Sequence, residues 1–339
     1  MSPPVKVSLI GKYYTGRLCY FSWKVFFIME VADSKIKVIA GRKLVQHIRQ
    51  WFRWTKLVCW IVLFSWRKMS SSRFVIVMYE QDDIGKTRES ICSVLRQKYA
   101  NYRLLLIRNS SLPHRPNFIT SEADLGRIEI VPNPKELRSL EAKYSTIHHL
   151  CDDDEIVVSL DSKHRFAHAY VLTYLRYIYS VSSCWMTFGS FMKRSKGISE
   201  QKRYETSVIK DRTFRKMGHP THLQTYYAWL FKAIPKSYLV DKRGKYFLTG
   251  ENRAVMYSLI ELAANKHVYI SVPMMIYDDL PGVENGEDNH ITNETRVLNK
   301  NYIKSFRPLT SICDEDSSGK LEPPLKFEET QIQQTVHRR

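Results

Sequence analysis

From Phe74 onward the apolar positions fall into short blocks, and the spacing within each block separates strands from helices. Phe74-Val-Ile-Val-Met78 is a continuous, largely β-branched run, the pattern of a strand buried on both faces. Polar residues with Asp82, Asp83 and Gly85 follow, then a stretch with Ile91, Val94 and Leu95 on one helical face and Lys86, Arg88, Glu89 and Arg96 off it. Tyr99-Ala-Asn-Tyr102 interrupts that period, and Leu104-Leu-Leu-Ile107 predicts a second strand. Strand, helix and strand in so short a span predict a βαβ unit. That implies a parallel sheet with ligand chemistry at the carboxyl ends of its strands.

The segment before Phe74 has a different pattern. In residues 42–68, Leu44, Val45, Ile48, Trp51, Phe52 and Thr55 recur at helical spacing with basic residues between them, predicting a basic amphipathic helix. It runs into an uncharged stretch, Leu57–Phe64, which is about half the roughly 20 apolar residues a spanning helix needs. Three readings stay open: a helix lying in an anionic membrane interface, a helix packed on the following domain, or an extension ahead of a functional chain that begins at Met69.

Charge sharpens that boundary. The chain carries a net charge of +18, but residues 1–72 hold 13 Lys and Arg against Glu30 and Asp33, and five of the seven tryptophans. The basic charge is continuous with an apolar run and matches no nucleic-acid module, so no nucleic-acid partner is expected. The six cysteines are scattered without zinc-ligand spacing and read as reduced, structural residues of a cytoplasmic protein, peripheral to the cytosolic face of a membrane if the amphipathic helix docks there. From Cys313 the chain turns polar, predicting a disordered tail. The organisation expected is thus an extension over 1–72, a domain over 73–312 and a tail over 313–339.

The order of residues within the domain adds a resemblance. Val75-Ile-Val-Met-Tyr-Glu-Gln81, then Ser93-Val94-Leu95-x-Gln97-x-Tyr99, then Tyr102-Arg-Leu-Leu-Leu-Ile107 resembles the opening of family 2 glycosyltransferases. Asp152-Asp-Asp-Glu-Ile-Val-Val-Ser-Leu-Asp161 is similar to the acidic loop, strand and Asp-x-Asp region of that family, with Ala169–Leu175 as the following helix. Trp185-Met-Thr-Phe-Gly-Ser-Phe191 matches a later strand, and His219–Phe231 resembles an acceptor-side helix. Gly250-Glu251-Asn252-Arg253 stands at the catalytic-acid position, followed by a helix over Met256–Ala263. The resemblance implies an α/β fold of the GT-A type, a nucleotide-sugar-binding fold with a mostly parallel central sheet flanked by helices, preceded here by the basic, Trp-rich helical extension.

It also implies a set of site residues. The nucleotide would lie over Val77, Tyr79 and Glu80 and the end of the second strand at Arg108 and Asn109, with Asp161 and Lys163 near the diphosphate. Glu251 and Asn252 would take the catalytic position. The family uses manganese or magnesium, for which Asp161 and His290 are the candidate ligands. Yet Arg108-Asn109, Lys163 and Asn252 each stand where the family has a carboxylate. In one reading chemistry persists without metal, Lys163 supplying positive charge to the leaving diphosphate and Glu251 acting as general base. In the other the site is inactive, and the fold is kept to bind a nucleotide, a glycan or a protein. The expectation is a glycosyltransferase-like protein that takes a nucleoside diphosphate sugar and a glycan or protein acceptor, with the inactive binding module as its alternative.

Overall fold

The computed structural model describes residues 73–80, 83–109, 124, 126–133, 137–199, 203–278 and 292–312. The basic extension 1–72, His290 and the tail 313–339 lie outside the described residues, as does the side chain of Asn109.

The protein is a mixed α/β structure with two sheets. The first strand, β1 (Phe74–Tyr79), is followed by α1 (Ile84–Leu95), β2 (Tyr102–Asn109), β3 (Ile128–Asn133), α2 (Ser139–Leu150) and β4 (Ile156–Ser159). After the short β5 (Arg165–Phe166) come α3 (Val171–Ser182), β6 (Met186–Gly189), β7 (Phe191–Lys193), β8 (Gly197–Ser199) and α4 (Thr206–Lys210). The last elements are β9 (Gln224–Tyr227), α5 (Ala228–Lys232), α6 (Glu251–Ala263), β10 (His267–Ile270), β11 (Met275–Tyr277) and α7 (Asn293–Ser305).

The main sheet has the order β10-β6-β9-β4-β1-β2-β3. Strands β3, β2, β1 and β4 are parallel, β9 is antiparallel to both β4 and β6, and β10 runs parallel to β6. The smaller sheet has the order β5-β11-β7-β8. The βαβ expectation therefore holds, with β1 and β2 in register from Phe74 opposite Tyr102 to Tyr79 opposite Ile107.

The two-residue period of β1 explains why its run is continuously apolar. Val75, Val77 and Tyr79 join one core with Leu105, Ile107, Leu140 and Ile147, whereas Phe74, Ile76 and Met78 join the core on the other face with Ile91, Leu104 and Leu172. Burying side chains such as Ile76 and Val77 stabilises by about 1.5–3 kcal/mol each relative to leaving them in water.

The polar residues of the family-like motif also have structural work. Asp83 caps α1 by accepting from the Lys86 N–H at 3.0 Å. Ser93 Oγ accepts from the Phe166 N–H at 3.0 Å. Gln97 donates to the His168 carbonyl at 2.8 Å and accepts from the Leu172 N–H at 3.1 Å, fastening the end of α1 to the start of α3.

One part of the sequence reading changes here, and another holds with one residue added. The block read as an acceptor-side helix is a strand, β9, followed by the one-and-a-half-turn α5, because Gln224, Thr225 and Tyr226 are buried between β4 and β6. The acidic run at Asp152 is a solvated loop except for Glu155, which is buried and takes a bidentate pair from Arg103 at 3.2 and 2.7 Å.

At the far edge of the main sheet, Gly189 faces Ile270 of β10. A Cβ there would lie 2.1 Å from the Ile270 carbonyl oxygen, a backbone atom that cannot swing aside. Gly189→Ala is expected to lower stability by about 1–3 kcal/mol by overpacking this edge. The check is the urea midpoint at constant m value, which should fall.

Candidate functional site

In an open parallel sheet the place for a ligand is the crevice beyond the carboxyl ends of the strands where the winding reverses. Here β2 and β3 lie on one side of β1 and β4 on the other, so the reversal falls between β1 and β4. Glu80 follows the last residue of β1, Arg108 lies near the end of β2, and Asp161 lies two residues beyond β4. Glu251 enters the same neighbourhood from another element. Gly250, at φ +79°, turns the chain so that Glu251 becomes the first residue of α6, where the helix dipole favours a carboxylate.

The centre of this crevice is an ion triad. Lys143, from α2, donates to Asp161 Oδ1 at 2.7 Å and lies 3.5 Å from Glu251 Oε1. Glu251 Oε1 also accepts from Ser139 Oγ at 3.2 Å, one turn before Lys143 on the same helix. The side chain of Lys143 is 8% exposed, Asp161 16% and Glu251 21%. Burial alone would push the Lys143 ammonium down, but the Asp161 and Glu251 carboxylates outweigh it and raise it above the ordinary lysine value. Burial would raise Asp161 in turn. The Lys143 ammonium, with His164 and Lys163 beyond it, instead holds the Asp161 carboxyl well below the usual carboxylate range. Lys143 and Asp161 are therefore both charged at neutral pH.

A second pair lies at the β1–β2 end of the crevice. Glu80 is buried with one oxygen 3.7 Å from Arg108 Nε. Burial pushes its carboxyl up, and the Arg108 guanidinium pulls it partly back. Among the described residues, Glu80 Oε2 accepts no hydrogen bond.

On the other side of Asp161, His164 and His222 gather with Tyr277. The His164 ring lies 4.3 Å from the Tyr277 ring and 5.7 Å from the His222 ring. Burial pushes His164 down to about 3 and His222 to about 4, so both are neutral imidazoles at neutral pH.

These residues do not fit a divalent cation held by Asp161. An oxygen ligand to magnesium stands at about 2.1 Å from the ion, and the space beside Asp161 Oδ1 is taken by the Lys143 ammonium. Among the described residues, no group of three or more His, Cys, Asp or Glu side chains could hold a metal ion.

No family model and no curated protein matches the chain. Among solved structures it is similar to S. aureus TarS 1-349 in complex with UDP-GlcNAc, with 10% identity, 68% of this chain and 65% of that chain covered, and a TM-score of 0.47. It is also similar to GalNAc-T7 with UDP, GalNAc and Mn2+, at 12% identity, 68% and 48% coverage and a TM-score of 0.45. S. aureus TarS itself matches at 11% identity over 61% of this chain and 36% of that one, with a TM-score of 0.44. The chain thus spans between 36% and 65% of the length of these three structures. Likenesses of this size transfer no residue roles, and the site stands on its own geometry.

The residues expected from the sequence divide into three groups. Asp161 and Glu251 come together through Lys143, and Glu80 meets Arg108. Val77 and Tyr79 have buried side chains in the sheet core, with the Tyr79 hydroxyl donating to the Leu137 carbonyl at 3.1 Å, so they frame the crevice without lining it. Asn252 lies half-buried in the first turn of α6 and Lys163 half-buried in the turn after Asp161. The cation closest to Asp161 is Lys143, which sequence reasoning passed over along with Ser139 and His164. One signal was available for Lys143: its spacing from Leu140 and Ile147 puts it on the buried face of α2. Among the described residues, no helix is long and apolar enough to cross a membrane.

Proposed function

We propose that this chain is a glycosyltransferase-like protein of the GT-A type that holds a nucleoside diphosphate sugar at the carboxyl ends of β1, β2 and β4, with sugar transfer suppressed. The observation that carries the reading is the Lys143–Asp161–Glu251 triad at the reversal of the sheet. Transfer to a hydroxyl needs a carboxylate that can take a proton as the bond forms. Glu251 Oε1 is already engaged by an ammonium and a serine hydroxyl, and Asn252 beside it cannot take a proton at all. Binding asks less of the site. Arg108 and Lys163 would supply positive charge toward a diphosphate, and the Glu80–Arg108 pair lies at the β1–β2 end, where a base or ribose would sit. The ordered family-like segments from Val75 to Arg253 support the same reading.

One observation favours a second reading, in which transfer persists with Glu251 as base. Its Oε2 carries no hydrogen bond among the described residues, and the side chain keeps some exposure. Calorimetric titration with a panel of nucleoside diphosphate sugars separates the readings when it is paired with a product assay. The expected result is saturable binding of at least one donor, kept in Glu251→Gln, with no released nucleoside diphosphate. Turnover by the wild type that Glu251→Gln abolishes would establish the second reading, and failure of every donor to bind would end both.

A further inference from the structure

Two carboxylates from distant parts of the chain, Asp161 after β4 and Glu251 at the start of α6, converge on a single ammonium rather than on each other. Oxygen ligands brought together in this way are the usual setting for a hard divalent cation. Lys143 reaches their meeting point from the buried face of α2, and its Nζ is within hydrogen-bonding distance of both. The ammonium is a compact charge with three donors, so it serves Asp161 and Glu251 together and leaves the triad with one net negative charge. A metal ion entering here would have to expel that ammonium into a buried and already occupied surrounding. Separating a buried ion pair carries a penalty large enough to defeat ordinary divalent affinity.

We propose that Lys143 is a built-in substitute for a divalent cation at the Asp161–Glu251 pair, so that the crevice takes its ligand without metal and the pair becomes a divalent-cation site only when Lys143 is removed. The proposal deepens the functional reading above by fixing how charge is supplied at that site. It differs from the expectation that Lys163 would play this part. Lys163 lies in the turn after Asp161, whereas Lys143 makes the 2.7 Å contact.

The test is manganese binding to the full chain, followed by the spin-resonance signal of free Mn2+, in wild type, Asp161→Asn, Lys143→Met and Lys143→Met/Asp161→Asn. Methionine keeps the length and bulk of the lysine stem. The wild type is expected to take up no manganese that depends on Asp161. Lys143→Met is expected to bind at least about tenfold more tightly, a difference of about 1.4 kcal/mol, and the double variant to lose that gain. Manganese binding by the wild type that disappears in Asp161→Asn would overturn the proposal, whether or not the methionine variant folds. So would a folded Lys143→Met chain with no gain. The readout needs no nucleotide, so absence of donor binding would sink the functional reading alone. Donor binding that requires manganese in the wild type would sink this inference alone.

Discussion

Replacing Arg215 by methionine is expected to cost the fold about 3–5 kcal/mol, the scale on which losing one partner of a buried ion pair acts. Arg215 and Glu261 are 6% and 0% exposed and meet in a bidentate pair at 2.6 and 2.7 Å. The guanidinium also donates to the Ile303 carbonyl at 2.6 Å, and Glu261 Oε2 accepts from the Leu309 N–H at 3.1 Å. Tyr238, Tyr257 and Phe306 surround the cation with their rings at 5.4–5.7 Å. One side chain thus joins the turn at Phe214–Lys216, helix α6, helix α7 and the segment after it. In Arg215→Met the Glu261 carboxylate stays buried without its cation, which is the source of the loss. Chemical unfolding measures it directly. The double variant Arg215→Met/Glu261→Leu should be less destabilised than Arg215→Met, because it removes the stranded charge as well. A strictly additive double variant would contradict this account. The clamp also bears on the candidate site, because α6 starts at Glu251 and Ile303 of α7 packs at Gly250, where a Cβ would meet it at 3.1 Å.

How much of this was legible beforehand depends on whether a residue's surroundings were local. The apolar runs of β1 and β2 could be read because burial on both faces of a parallel sheet leaves no polar positions to obscure them. β3 was not read, since Ile128–Asn133 is an edge strand with Glu129 and Pro132 in it, and only Asn133 of its six residues is fully buried. β9 was missed for a different reason. Gln224-Thr-Tyr-Tyr227 is polar by composition but buried by position, with Thr225 Oγ1 hydrogen-bonded to Thr187 and Tyr179 across neighbouring elements. Those partners are 38 and 46 residues away in the chain, and no local pattern announces them.

The candidate site shows the same limit more sharply. Asp161 and Glu251 could be singled out from motif position, but their relation could not, because it runs through a helix that carries no motif. Lys143 within Ser139–Leu150 reads as an ordinary cation on an amphipathic helix until its spacing from Leu140 and Ile147 is weighed. A charged residue on an apolar stripe is costly to bury without partners. Its placement there was a request for carboxylates that only the fold could answer. The expectation that Lys163 carries the compensating charge followed from its adjacency to Asp161 in sequence, whereas the triad is assembled by adjacency in space.

Acidification below about pH 6.5 is expected to destabilise the protein, and the cause sits beside Asp161. Burial holds His164 at about 3 and His222 at about 4, both below the ordinary imidazole value of 6.5. Asp161 pulls both upward, Lys143 and Lys163 push both downward, and the two rings oppose each other when charged. In the unfolded chain each histidine takes its proton near the ordinary value, whereas in the folded chain it resists. Their stabilising effect is therefore complete above about pH 6.5 and is lost as pH falls toward their folded values, at up to about 1.4 kcal/mol per pH unit for each ring. His168 and His219, also held at about 4 by burial, act in the same direction. Asp161, held below its ordinary value by Lys143, loses its contribution only at lower pH, whereas Glu80 and Glu261, pushed up by burial, partly offset the histidines between pH 6.5 and 4.5. Unfolding free energy measured by urea across that interval should fall by several kcal/mol. In His164→Phe/His222→Phe, which keeps rings against Tyr277 but removes two proton sites, the slope should be shallower by up to about 2.7 kcal/mol per pH unit. An unchanged slope would mean that the two imidazoles are already hydrated or protonated in the folded state. The triad would then lack the dry wall that keeps Lys143 and Asp161 paired.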